Sequence, residues 1–186
     1  TTKIVLKEKI KDAYGFMENE MKNGRQCFIV YPLIEESEKL DLKAADSGYK
    51  MFTKKIFPDY KIGYIHGKMP KEERDIQMEK MINGEINCLV ATTVIEVGID
   101  IPNASVILIE NSERFGLTQL HQLRGRVGRG KFKSYCLLVQ RKSTDEGPSF
   151  GEQFHTDSIY TKKPPRFTML LSKLVPKKGK ANTEFC

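Results

Sequence analysis

The sequence predicts an α/β fold in which a parallel β-sheet is covered by helices on both faces. Three observations support this prediction: short continuous apolar runs recur along the chain, amphipathic segments separate them, and glycines follow those segments as helix stops. Because ligands of such sheets gather at the carboxyl ends of the strands, we expect the chemistry at that edge.

The first half of the chain contains three strand–helix units. The predicted strands are Lys3–Leu6, Gln26–Tyr31 and Lys61–Ile65. Gly24 closes the first helix, and the second helical pattern extends from Pro32 to about Ile56. The third helix has Pro70 in its first turn and stops at Gly84. Each helix would therefore cross between parallel strands.

The second half is predicted to add three strands and one helix, completing a domain over residues 1–139. The strands are Ile86–Ala91, Ser105–Ile109 and Ser134–Val139, and the helix is Thr118–Arg129. After residue 139 the alternation of strand and helix patterns ends, and proline, glycine, serine and charged residues are mixed without a period. Residues 140–186 are therefore expected to form an irregular or partly disordered tail.

Composition limits the class of protein. Of the 186 residues, 39% are hydrophobic and 30% charged, which is ordinary for a globular protein. No run reaches the roughly 18–20 apolar residues of a membrane span, so no membrane association is expected. The charged opening segment TTKIVLKEKIKD lacks the apolar core of a secretory signal. We therefore expect a cytoplasmic protein.

The four cysteines are widely spaced and form no CxxC pair, which argues against a metal site. They are Cys27, Cys88, Cys136 and Cys186. The first three fall within apolar runs and are predicted to be buried thiols, as in a protein of a reducing compartment.

The first segment with candidate functional residues is ATTVIEVGIDIPNAS, residues 91–105, which directly follows a predicted strand. Thr92 and Thr93 offer donors to a phosphate, Gly98 permits close backbone approach, and Asp100 supplies a carboxylate. A plainer interpretation is equally compatible with these residues: the threonines cap a helical turn and Gly98 makes a bend.

The second segment is QLHQLRGRVGRG, residues 119–130, within a basic stretch of the chain. Arg126 and Arg129, three residues apart, would share a helical face and converge on one anion, since guanidinium groups stabilise charge on a transferring phosphoryl group. The alternative is a solvated basic helix. Gly125 and Gly128 disfavour it, because each glycine costs a helix about 1 kcal/mol.

Together the two segments resemble motifs V and VI of superfamily 2 helicases. Three runs, VIEVGIDIPNAS, IENSERFGLTQLHQLRGRVGRG and IVYPLIEESEKLDLKAA, are similar to the RecG family of branched-DNA helicases over about residues 1–139. The transcription–repair coupling translocases share the QLHQLRGRVGR core and are the alternative. The resemblance implies a second RecA-like motor domain that moves along duplex DNA with a first one.

The resemblance also implies roles around ATP bound between the two domains. Arg126 and Arg129 match the arginines that reach the γ-phosphate, and Gln122 matches the leading polar residue of the same motif. Gly98 and Asp100 match motif V residues that face the nucleotide. ATP and its Mg²⁺ would be bound mainly by the first domain.

DNA contacts are implied at three further positions. Thr92 matches a residue that contacts the DNA backbone, and no role is carried onto Thr93. Ile34 lies in the motif IV region, and His66 follows a strand toward the DNA track. For His66 a strand-end histidine with satisfied hydrogen bonds is the plainer interpretation.

The sequence lacks two parts of a complete motor. It contains neither a GxxxxGK[ST] phosphate loop nor a DExH or DExD segment, so the chain alone is not expected to hydrolyse ATP. A non-catalytic nucleic-acid-binding module with a motor-domain fold is a second hypothesis. An RNA helicase is a third, because motifs V and VI do not distinguish DNA from RNA.

Overall fold

The computed structural model describes residues 1–33, 38–92 and 101–140, and the side chain of residue 38 is not described. Thr1–Arg141 forms one unit. Within the described residues six strands make a single sheet: β1 (Thr2–Leu6), β2 (Gln26–Tyr31), β3 (Ile62–Ile65), β4 (Cys88–Thr92), β5 (Ala104–Ile109) and β6 (Tyr135–Gln140). The strand predictions are confirmed to within two residues at each end.

The strand order is β1-β6-β5-β2-β4-β3, and every neighbouring pair is parallel. β2 and β5 are buried at every position, as expected for central strands covered on both faces. The parallel α/β sheet predicted from the sequence is thereby confirmed.

The described connections between the strands contain four α-helices: α1 (Ile10–Lys22), α2 (Glu38–Met51), α3 (Lys71–Ile82) and α4 (Leu117–Arg124). A π-helical turn, Phe52–Ile56, continues α2 to the predicted end at Ile56. Gly24 and Gly84 end α1 and α3 with φ of 76° and 75°, a left-handed conformation that glycine adopts without a Cβ penalty. The predicted helix stops are therefore confirmed.

The helices lie on both faces of the sheet. On one face Ile29 of β2 and Val90 of β4 pack in a core with Met17 of α1 and Ala45 of α2. Gln26 points to the opposite face, where its Nε2 donates to two carbonyl oxygens. These belong to Met81 of α3 at 2.6 Å and Ile86 at 2.8 Å. Alternate residues of one strand thus serve two layers.

Burial raises the pKa of the Cys27, Cys88 and Cys136 thiols, that of Cys136 to about 12. These three thiols are free and buried, as predicted. Protonated thiols are poor nucleophiles and poor metal ligands, so they act as small core side chains. None of the described helices is both long and apolar enough to cross a membrane.

Candidate nucleotide and nucleic-acid sites

The predicted helix over Thr118–Arg129 is wrong at its carboxyl end. α4 stops at Arg124, and Gly125 closes it with its N–H on the His121 carbonyl at 3.1 Å. Gly128 has a φ of 87°, which a helix cannot accommodate. Arg126 and Arg129 therefore do not share a helical face, and the glycines shape a loop instead of weakening a helix.

The segment Gly125–Gly130, here called the arginine loop, packs closely against its surroundings. A Cβ at Gly128 would lie 3.1 Å from the Ser134 Cβ, and one at Gly130 would lie 3.0 Å from the Pro102 carbonyl carbon. Val127, which precedes Gly128, is buried. Glycine is required at Gly130 because a Cβ would meet backbone, and at Gly128 because its φ of 87° is one that residues with a side chain rarely adopt. The loop therefore has a defined backbone path.

The two arginines differ in exposure. Arg126 is half-buried, whereas Arg129 is exposed and donates from Nε to the Gly125 carbonyl at 3.0 Å. This bond ties the guanidinium to the first residue of its own loop. Gln122 is exposed on the last turn of α4. Planar guanidinium groups on a shaped loop are suited to phosphate oxygens, which they bind through two parallel hydrogen bonds.

The arginine loop lies on the amino side of the sheet. Its contacts Pro102 and Ser134 precede β5 and β6, respectively. Our expectation that the chemistry gathers at the carboxyl ends is therefore wrong for Arg126 and Arg129. The physical reason is that α4 returns antiparallel to the strands and delivers its last residues to the opposite edge.

Thr92 and His66 lie at the carboxyl edge, at the ends of adjacent strands. Thr92 ends β4 and is fully buried, and His66 follows β3, whose Ile65 pairs with Ala91. Thr92 Oγ1 and His66 Nδ1 are buried and hydrogen-bond to none of the described residues. The helical turn that Thr92 would cap lies outside the described residues, whereas the satisfied-histidine interpretation of His66 is not supported at Nδ1.

Three other predicted site residues, Ile34, Gly98 and Asp100, lie outside the described residues. The last described residue before Gly98 is Thr92, at the carboxyl end of β4. The first described residue after Asp100 is Ile101, three residues before β5 begins. They stand at opposite edges of the parallel sheet.

Sequence reasoning missed a charged cluster beyond β5. Arg114 holds the buried carboxylate of Asp41 on α2 with two hydrogen bonds, of 2.6 and 3.1 Å. Glu110, fully buried, accepts a bond of 3.4 Å from the Tyr14 hydroxyl of α1. The sequence does contain a signal for this cluster, because the charged residues Glu110 and Arg114 closely follow an apolar strand. Their contacts fix the segment that leads into α4.

Among residues 1–33, 38–92 and 101–140, no group of three His, Cys, Asp or Glu side chains is placed to hold a metal ion. The described candidate residues carry cationic and hydrogen-bonding side chains. Such side chains are suited to binding anions and stabilising negative charge.

Comparisons with known proteins agree with this geometry. A family model described as the helicase conserved C-terminal domain matches residues 7–131. The ATP-dependent DNA helicase RecG of Thermotoga maritima is 52% identical over 138 residues, which are 74% of this chain and 18% of the relative. RecG of Bacillus subtilis is 45% identical over 133 residues, 72% of this chain and 20% of the relative. The chain spans about a fifth of the length of these curated relatives.

Solved structures show the same likeness. A structure of RecG bound to a three-way DNA junction superimposes with a TM-score of 0.66 and 43% identity, over 84% of this chain and 20% of that one. Domain 2 of the DEAD-box helicase Mss116p, bound to an RNA duplex, gives a TM-score of 0.60 over 76% of this chain and 54% of that one. Its 19% identity supports the fold alone.

Proposed function

Because the chain belongs to the helicase conserved C-terminal domain family, we propose that it is the second RecA-like motor domain of an ATP-dependent DNA helicase acting on branched DNA. Its RecG relatives are named ATP-dependent DNA helicases, and one RecG structure holds a three-way DNA junction. These names support DNA over RNA as the track. We also propose a cytoplasmic location, as expected from the sequence.

The observation that carries the proposal is the arginine loop. Arg126 and Arg129 stand beyond the end of α4 on a backbone path fixed by Gly128 and Gly130. In the proposed motor both guanidinium groups contact the γ-phosphate of ATP that a first RecA-like domain holds. They stabilise the negative charge that spreads over the phosphoryl oxygens in the transition state.

The remaining nucleotide contacts are proposed for Gln122, Gly98 and Asp100. Gln122 is exposed close to the loop, which is compatible with such a contact. Mg²⁺ would accompany ATP in the first domain. Among the described residues no cluster is placed to hold it, and no magnesium ligand is assigned to them.

DNA contacts are proposed at the carboxyl edge, at Thr92, Ile34 and His66. Thr92 and His66 stand at the ends of adjacent strands at this edge, and Thr92 Oγ1 and His66 Nδ1 hydrogen-bond to no described residue. Because both atoms are buried, neighbouring residues must move before a phosphate oxygen can accept from them. Contacts to the DNA backbone are independent of sequence and weaken with salt. The net charge of +7 agrees with such an electrostatic contribution.

The test uses the full-length protein that contains this chain, with ATP hydrolysis measured in the presence of forked DNA. Arg129→Ala should lower kcat about 10³-fold or more, as expected for a residue that stabilises the transferring phosphoryl group. The matched control is Arg124→Ala, which removes an exposed arginine from the last turn of α4 and should leave kcat unchanged.

Unchanged turnover in Arg129→Ala would contradict the role of the arginine loop. Equal losses in Arg124→Ala and Arg129→Ala would also contradict it, because they would point to general positive charge instead of one placed guanidinium.

A further inference from the structure

The exit of the arginine loop is attached to the starts of two neighbouring strands. The guanidinium carbon of Arg25, which precedes β2, lies 3.1 Å from the centre of the Phe132 ring. Nη1 of the same guanidinium donates to Oδ1 of Asn103, which precedes β5, at 3.4 Å. Arg25 therefore contacts both the segment that follows the arginine loop and the segment that leads into β5.

Asn103 holds the backbone on both sides of Arg25. Its Nδ2 donates to the Gly24 carbonyl at 2.8 Å, and its own carbonyl accepts from the Gln26 N–H at 3.1 Å. The guanidinium thus projects from a segment that is hydrogen-bonded before and after it. Such a base is rigid, so the guanidinium is held in place from one side.

The partner ring is held from the other side. Phe132 is 46% exposed, so burial alone does not explain its position. A planar guanidinium over the face of an aromatic ring gains from both dispersion and the electrostatics of the ring. Two residues earlier, Gly130 packs on the carbonyl of Pro102, the neighbour of Asn103. The loop exit and the start of β5 consequently form one packed unit.

We infer that Arg25, Phe132 and Asn103 are positioning residues that hold the arginine loop, and with it Arg129, in the geometry that reaches the phosphate. The inference rests on the proposed function, because it assigns these residues to the placement of a proposed contact. In this scheme Arg25 acts through the loop and not by contact with the nucleotide. Displacement of a catalytic group by about 1 Å can cost about 10²-fold in rate, which sets the scale of the effect.

The experiment measures kcat and the KM for ATP with forked DNA in the full-length protein. Arg25→Ala and Phe132→Leu should each lower kcat by about 10- to 100-fold while KM for ATP changes little, since a contact made in the transition state is lost. Phe132→Tyr keeps the ring and should retain the parent kcat. Lys133→Ala is the matched control, because Lys133 faces the Tyr135 ring of β6 at 5.7 Å.

A double variant separates positioning from general destabilisation. If Arg25 acts through Arg129, the variant with both Arg25→Ala and Arg129→Ala should be no slower than Arg129→Ala alone. Multiplied losses would overturn the inference. If Arg25→Ala does not fold, the pair of Phe132→Leu and Arg129→Ala gives the same comparison.

The two proposals fail in different ways. Parent turnover in Arg129→Ala would overturn the proposed function and this inference with it. A slow Arg129→Ala beside parent turnover in Arg25→Ala and Phe132→Leu would overturn the positioning role alone.

Discussion

Gly130→Ala tests the packing of the arginine loop most directly. The added Cβ would lie 3.0 Å from the carbonyl carbon and 3.5 Å from the Cα of Pro102, and closer still to its carbonyl oxygen. Ordinary contacts of this kind lie at roughly 3.5–4 Å. The obstacle is backbone, which cannot rotate away as a side chain can, so the loop and the chain before β5 must separate. Overpacking of this kind typically costs about 1–3 kcal/mol.

Urea unfolding of the 186-residue chain, followed by circular dichroism, measures the change in the free energy of unfolding. The matched control is Gly15→Ala in α1, where a Cβ meets nothing within 4 Å. It should gain about 0.5–1 kcal/mol from the better helix propensity of alanine. A free energy of unfolding for Gly130→Ala within about 0.5 kcal/mol of the parent value is what a neutral surface change would give. That result would refute the close approach to Pro102.

Two further predictions concern the core and its charges. Arg114→Ala should lower the free energy of unfolding by about 2–3 kcal/mol, because Asp41 is only 5% exposed and loses a two-bond partner. Urea titration measures this change. The control is Lys50→Ala, which breaks an exposed ion pair and should lower the free energy of unfolding by less than about 1 kcal/mol. Equal losses of stability in the two variants would contradict the prediction. The pKa of the Cys136 thiol, raised by burial to about 12, exceeds its value of about 8.5 in an unfolded chain. The stability contributed by the neutral thiol is therefore complete below about pH 8.5 and is lost progressively toward pH 12. The free energy of unfolding, measured by urea titration, should fall less steeply with pH over this range in Cys136→Ala than in the parent. Identical slopes in the two proteins would contradict the prediction.

Local patterns were sufficient for the strands and for most helix ends. Gln26–Tyr31 is apolar enough to identify a buried strand, and Gly24 and Gly84 mark helix ends by themselves, because both depend on the intrinsic properties of neighbouring residues. The sequence also led to the helicase family before the fold was known, since the arginine loop and the segment before β5 carry a specific order of residues.

Contacts between distant parts of the chain could not be predicted in the same way. The sequence predicted a helix that continued to Arg129, but α4 stops at Arg124. Beyond it the chain brings Gly130 against Pro102, a contact that the local sequence does not reveal. Asp41 and Arg114 are 73 residues apart. Their pairing is a property of strand order, which apolar periodicity does not encode, and the same is true of the edge at which the arginines emerge.

The pairing of β1 with β6 has a mechanical consequence. The strands are parallel, and five residue pairs from Thr2–Cys136 to Leu6–Gln140 join them. A tension that pulls Thr2 and Gln140 apart acts along the strand axes and loads the hydrogen bonds of the pair together, in shear, instead of opening them one by one. The edge of the sheet can therefore bear load between these two points, a useful property in a domain proposed to do work on DNA.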